Sequence, residues 1–129
     1  MECSVIVVTH GNLACELINT TNMLIGSQKH VLTVDFMPGE NLESLIKKLA
    51  VIISDISEDI PLLLLVDIHS GTPFNASSYF VKHRQDTRLI AGVNIPMLVN
   101  ILLERQDVSS LEELVTLSVN VGKSAIKPL

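Results

Sequence analysis

PLLLLVDIHSGTPFN, from Pro61 to Asn75, changes character halfway. Its first half is an unbroken apolar run without polar alternation. That is the pattern of a short strand covered on both faces and central in a parallel sheet. Its second half is a helix start, with Thr72 as the N-cap and Pro73 at the first helical position, where a missing N–H is harmless. The helix that follows is expected to bury Ala76, Tyr79 and Phe80. A doubly covered strand leading into a helix is one unit of an alternating β/α chain.

The same unit recurs on both sides. Upstream, Val5 to Val8 is a short strand, and Asn12 is placed to cap a helix carrying Leu13, Ala14, Leu17, Ile18, Met23 and Leu24. Val31, Leu32, Val34 and Phe36 form a second strand. MPGEN breaks it, and Asn41 caps a helix with Leu42, Leu45, Ile46, Leu49, Ile52 and Ile53 on one face. Downstream, Arg88 to Val93 is the fourth strand. NIPML opens a helix near Asn94 or Ile95, with Pro96 in its first turn. Ser110 to Glu113 reads S-x-x-E, a capping box, and starts a last helix with the face Leu111, Leu114, Val115, Ser118 and Val121, weakened near its end by Gly122. Helical crossovers make the strands parallel and the connections right-handed. The expected fold is α/β, a doubly wound parallel sheet of order 2-1-3-4 with helices on both faces.

Composition agrees with one domain over residues 1–129, rich in Leu, Ile and Val and 47% apolar. The net charge of −5 and the absence of a basic stripe argue against nucleic acid and against an anionic membrane surface. The longest apolar run, Ile60 to Val66, is too short to span a bilayer, and MECSVIVV lacks the basic start of a signal peptide. A cytoplasmic protein without membrane insertion is expected. Cys3 and Cys15 have neither CxxC nor metal-ligand spacing and read as small buried hydrophobes.

Sites in such sheets form at the carboxyl ends of strands, where strand order reverses. Strand 1 brings Thr9, His10 and Gly11 to that edge. Strand 3 brings Asp67, His69, Ser70, Gly71 and Thr72, and strand 4 brings Asn94. With order 2-1-3-4, His10 falls beside Asp67. A neutral imidazole attacks through one ring nitrogen, while a carboxylate holding the other N–H fixes the tautomer and steadies the resulting cation. The helix start at Thr72 supplies free N–H groups for an anion, and Gly71 permits close backbone approach. Nucleophile, orienting group and anion seat suit phosphoryl transfer. Read alone, Asp67 is equally a turn-capping residue, SGTPFN equally a plain helix start, and His30 and His83 surface residues. SGTPFN lacks P-loop spacing. A metal site from His10, Asp67 and His69 matches no familiar zinc pattern, and Ser70 lacks a nucleophile elbow, so no metal and no serine hydrolase is assigned.

VVTHGN, VDFMPGEN, LLLVDIHSGTPFNAS and IAGVNIPMLV together resemble the EIIA proteins and domains of the mannose family of the bacterial phosphoenolpyruvate-dependent sugar phosphotransferase system. The resemblance runs in order over nearly the whole chain. It implies a phosphotransferase in which His10 accepts a phosphoryl group from the carrier HPr, as tele-phosphohistidine, and passes it to EIIB. EIIB then phosphorylates sugar entering through the membrane components EIIC and EIID, which select the sugar. It implies Asp67 as the partner of the imidazole and Thr72 at the phosphate seat, with Gly71 and Ser70 beside it. It implies a homodimer with an exchanged C-terminal edge segment, and no diffusible cofactor, because the group arrives on a protein.

One departure stands out. The family pattern has an aromatic or small residue and then two glycines after the aspartate, whereas this chain reads D-I-H-S-G-T. His69 and Ser70 occupy those positions. His69 is an auxiliary candidate that would bond phosphate, tune His10 or take phosphate itself; Thr9 is a second auxiliary candidate. Two other functions fit the same residues: the phosphotransfer subunit of a dihydroxyacetone kinase, and a regulatory module that senses phosphorylation without relaying it.

Overall fold

A computed structural model describes residues 1–129. The elements alternate as β1 (Ser4–His10), α1 (Leu13–Ile25), β2 (Val31–Phe36), α2 (Leu42–Ser54), β3 (Leu62–Val66), α3 (Thr72–His83), β4 (Thr87–Ala91), α4 (Ile95–Glu104) and α5 (Leu111–Ser124). The four strands are all parallel, in the order β2-β1-β3-β4. This is the predicted topology.

The two-residue period of the strands divides the core into two layers. Val5 and Val7 of β1 and Leu63 and Leu65 of β3 face Ala14 of α1, Met97, Leu98 and Ile101 of α4, and Leu111 and Leu114 of α5. Ile6, Val8, Leu62, Leu64 and Val66 face Leu45, Leu49 and Ile53 of α2 and Ala76 and Phe80 of α3. All five residues of β3 are completely buried. Each such side chain contributes about 1.5–3 kcal/mol by leaving water. That burial is why the run from Leu62 to Val66 shows no polar alternation.

Local signals placed the helix starts with some corrections. Asn41 Oδ1 accepts from Ser44 N at 2.9 Å, and Ser44 Oγ accepts from Asn41 N at 3.0 Å, a reciprocal cap for α2. Asn94 Oδ1 accepts from Met97 N at 3.0 Å, capping α4 as expected. Asn12 occupies the N-cap of α1 but makes no capping bond with its side chain. Buried Thr9 does that work: its Oγ1 accepts from Ala14 N at 2.7 Å. The N-cap of α3 is Gly71, so Thr72 and Pro73 are its first two helical residues.

Amphipathic faces were read less well where a helix edge meets solvent. Tyr79, expected inside, is 43% exposed, as are Leu13, Met23 and Leu24 to varying degrees. Cys3 is buried and burial pushes its thiol up to about 11. Cys15, expected to be buried, is exposed. Gly122 is a packing residue as well as a poor helix former. A Cβ there would lie 2.7 Å from Met97 Cε, and its carbonyl accepts from Asn94 Nδ2 at 3.0 Å. At the opposite end of the sheet, buried Arg105 donates to the carbonyls of Cys3, His30 and Lys29, tying α4 to the starts of β1 and β2.

The cap of α5 carries a pH prediction. Ser110 Oγ accepts from Glu113 N at 3.1 Å, but Glu113 reaches one residue further out than in a reciprocal box. Its Oε2 accepts from Ser109 N at 2.9 Å and Ser109 Oγ at 2.7 Å. These bonds favour the carboxylate and hold Glu113 below its ordinary value. A lowered folded-state pKa stabilises above the unfolded value and is lost as pH falls through the folded one. The protection of the first-turn amides of α5, taken relative to their intrinsic exchange rates, is therefore expected to fall as pH drops through the ordinary glutamate range. Glu113→Gln is expected to remove most of that pH dependence; an unchanged profile in the variant would refute the assignment.

Candidate active site

The carboxyl edge of the sheet collects the polar residues. β1 runs to His10, whose register partner is Phe36 at the end of β2. Gly11 then turns with φ +59°, and its N–H donates to Phe36 O at 2.9 Å. The left-handed turn suits glycine and lets the chain enter α1 without moving His10. Next to β1, β3 ends at Val66 opposite Val8, so Asp67 emerges beside His10.

One carboxylate oxygen of Asp67 holds His10 twice. Asp67 Oδ2 accepts from His10 N at 3.1 Å and lies 2.8 Å from His10 Nδ1. An ionised carboxylate only accepts, so Nδ1 carries a proton, and in the neutral ring the lone pair is on Nε2. The His10 side chain is 44% exposed and that of Asp67 13%. The imidazole therefore stands open while the carboxylate that holds it is shielded. Phe36 and the imidazole meet in a T-shaped pair, planes at 84° and centroids 5.7 Å apart, which limits ring rotation from a second side. Asp67 Oδ1 is buried without a hydrogen-bond partner, which leaves the carboxylate's bonding concentrated on His10.

The third component is the start of α3. A Cβ on Gly71 would lie 3.0 Å from His10 Cε1, so a glycine lets the helix start approach the ring. Asn75 N bonds Gly71 O, closing the first turn. The N–H groups of Thr72 and Phe74 precede that closure, Pro73 has none, and the positive end of the helix dipole adds to them. This end lies against the same imidazole and is suited to an anion.

Of the other expected residues, Thr9 is buried and caps α1, so it supports the turn after His10. His69 and Ser70 bond each other, Nδ1 to Oγ at 2.6 Å, on the exposed rim. Asn94 is occupied by α4 and Gly122. No group of three or more His, Cys, Asp and Glu side chains is placed to hold a metal ion. Sequence reasoning missed Phe36, because only the β1–β2 register brings it to His10. It also missed Glu40 and Lys48, which fix the loop beyond Phe36. Lys48 Nζ donates to Asp35 O at 2.7 Å and pairs with Glu40, whose Oε2 accepts from Met37 N at 2.7 Å. The Lys48 ammonium and the Met37 N–H hold the Glu40 carboxyl below its ordinary value.

Comparison with known proteins points the same way. The sequence pattern of the family described as "PTS system fructose IIA component", EIIA-man, matches residues 4–118. The mannose-specific EIIAB component of Escherichia coli K12 is 43% identical over all 129 residues, which correspond to 40% of its length. The chain thus spans well under half of that relative. The fructose-specific EIIA component of Bacillus subtilis is 36% identical over 103 residues, 80% of this chain and 70% of that protein. Among solved structures, the mannose/sorbose-specific IIA subunit from Enterococcus faecalis superposes with a TM-score of 0.92 at 26% identity, covering 100% of this chain and 96% of the other.

Proposed function

The chain belongs to the EIIA-man family of phosphotransferase-system IIA components, and on that footing we propose that it is a phosphohistidine carrier in sugar uptake, with His10 as the carrying residue. The observation that carries this reading is the double hold of Asp67 Oδ2 on His10, which leaves Nε2 free on an exposed ring.

The donor is phospho-HPr. The Nε2 lone pair forms the new N–P bond as the N–P bond of the donor histidine breaks, and that electron pair returns to the donor ring. His10 becomes a phosphorylated imidazolium whose Nδ1–H stays on Asp67, and the carboxylate charge steadies it. The N–H groups at the start of α3 and the Thr72 hydroxyl receive the phosphoryl oxygens, with Gly71 giving them access. Delivery to an EIIB component reverses these steps, and EIIC and EIID carry the sugar. No diffusible cofactor enters this scheme.

Names among the relatives include mannose, fructose and sorbose systems. They give no support to the dihydroxyacetone-kinase reading. No helix is long and apolar enough to cross a membrane, which fits a carrier working in the cytoplasm. β4 pairs with β3 alone and leaves its outer edge open. Beyond α5, Ile126 and Leu129 are strongly exposed. Both features favour a homodimer that covers this edge with a C-terminal segment. Sedimentation is expected to give twice the chain mass of 14.1 kDa; a monomer at micromolar concentration would refute the dimer.

Intact mass tests the relay. Incubated with phosphoenolpyruvate, Enzyme I and HPr, the protein is expected to gain one phosphoryl group and to lose it on addition of its EIIB. Retention of the label in the presence of EIIB would instead identify a sensor. No gain with the HPr of the same species would overturn the carrier reading.

A further inference from the structure

The link between Asp67 and α3 contains a residue in a conformation its side chain resists. Ser70 has φ +67°, in the left-handed region where a Cβ is penalised and glycine is not. The next residue, Gly71, is the one that lies against His10 Cε1. The backbone at Ser70 therefore determines where the first turn of α3 meets the imidazole.

Two contacts from His69 hold that turn. Its Nδ1 lies 2.6 Å from Ser70 Oγ, hydrogen-bonded with either atom as donor according to the tautomer. Its ring also packs on Phe74 in the first turn of α3, with centroids 4.3 Å apart and planes tilted by 42°. His69 thus bridges the strained residue and the helix start. Its hydrogen bond goes to Ser70, while the bonding oxygen of Asp67 is engaged by His10.

We propose that His69 is a positioning residue for phosphoryl transfer. It holds Ser70 in the left-handed turn and so sets the anion-binding end of α3 against His10. A side-chain bond does here what a glycine at position 70 achieves through conformational freedom. The proposal rests on the reading of His10 as the acceptor.

The test is single-turnover phosphoryl uptake from phospho-HPr by the full chain, with folding checked by circular dichroism. His69→Ala is expected to slow uptake about tenfold, the effect of losing one hydrogen bond of ordinary strength. His69→Asn keeps an amide atom close to the position of Nδ1, and is expected to remain within about threefold of wild type. The decisive comparison is epistatic. Made on a Ser70→Gly background, His69→Ala is expected to change the rate by less than about twofold, because glycine holds the turn unaided. A folded His69→Ala that transfers at the wild-type rate would overturn the proposal. So would an undiminished tenfold loss on the Ser70→Gly background, which would mean that His69 acts directly on phosphate or partner. A second phosphoryl group in the wild type, absent from His69→Ala, would make His69 an acceptor and likewise overturn it. Failure of the underlying reading looks different: neither the wild type nor any variant would take up phosphate, and the proposal would fall with it.

Discussion

His10→Ala is expected to take up no phosphoryl group from phospho-HPr while keeping its fold. The variant removes the only atom in the scheme that forms a bond to phosphorus, and no neighbouring imidazole is held by a carboxylate in its place. Asp67 presents its bonding oxygen to His10, whereas the Nδ1 of His69 meets only the Ser70 hydroxyl, which brings no negative charge to steady a phosphorylated ring. The structural cost is small, because the imidazole is 44% exposed and makes one side-chain hydrogen bond. Loss of that bond corresponds to about 1 kcal/mol. Intact mass measures the uptake and thermal unfolding measures the fold. A folded His10→Ala that still gains a phosphoryl group would place the acceptor elsewhere.

Asp67→Asn is expected to slow transfer by at least roughly 10- to 100-fold, the range typical when the carboxylate that orients a metal-bound histidine is replaced. Asparagine has nearly the shape of aspartate, and its oxygen can still accept from His10 N and from Nδ1–H. What disappears is the negative charge that steadies the phosphorylated imidazolium. Nδ1–H is also less firmly imposed, because an amide both donates and accepts and so tolerates either tautomer. The change thus falls on the rate more than on folding. Rapid-quench transfer from phospho-HPr, set beside thermal unfolding, separates the two. An unaltered rate would reduce Asp67 to a turn residue. A loss of rate matched by a large loss of stability would show that its role is structural.

Much of this site is legible without coordinates because its parts are local. The apolar run from Leu62 to Val66 requires cover on both faces, and the alternation around it requires parallel strands. Those two facts bring the ends of β1 and β3 to one edge, and with them His10 and Asp67. Capping signals served well where the side chain and its partner N–H lie within three residues, as at Asn41 and Asn94. They failed at Asn12, because Thr9 reaches across the Gly11 turn to Ala14 and takes over the cap. Sequence spacing cannot distinguish a side chain beside a turn from one folded over it. The same limit applied to Tyr79 and Cys15, whose helix faces meet solvent at the edge of the sandwich.

By itself, the sequence determined the succession and parallel direction of the strands, the two-layered core and the residue types delivered to the carboxyl edge. These follow from apolar period and connection length, which are properties of short stretches of chain. Only the tertiary structure decided which nitrogen of His10 is free. That depends on one oxygen of a carboxylate 57 residues away, and hence on the register of β1 against β3. It also decided that Gly71 abuts His10 Cε1, that Phe36 borders the ring, and that His69 turns toward Ser70 instead of Asp67. Each of these is a distance between atoms that packing brings together, and packing is a property of the whole chain.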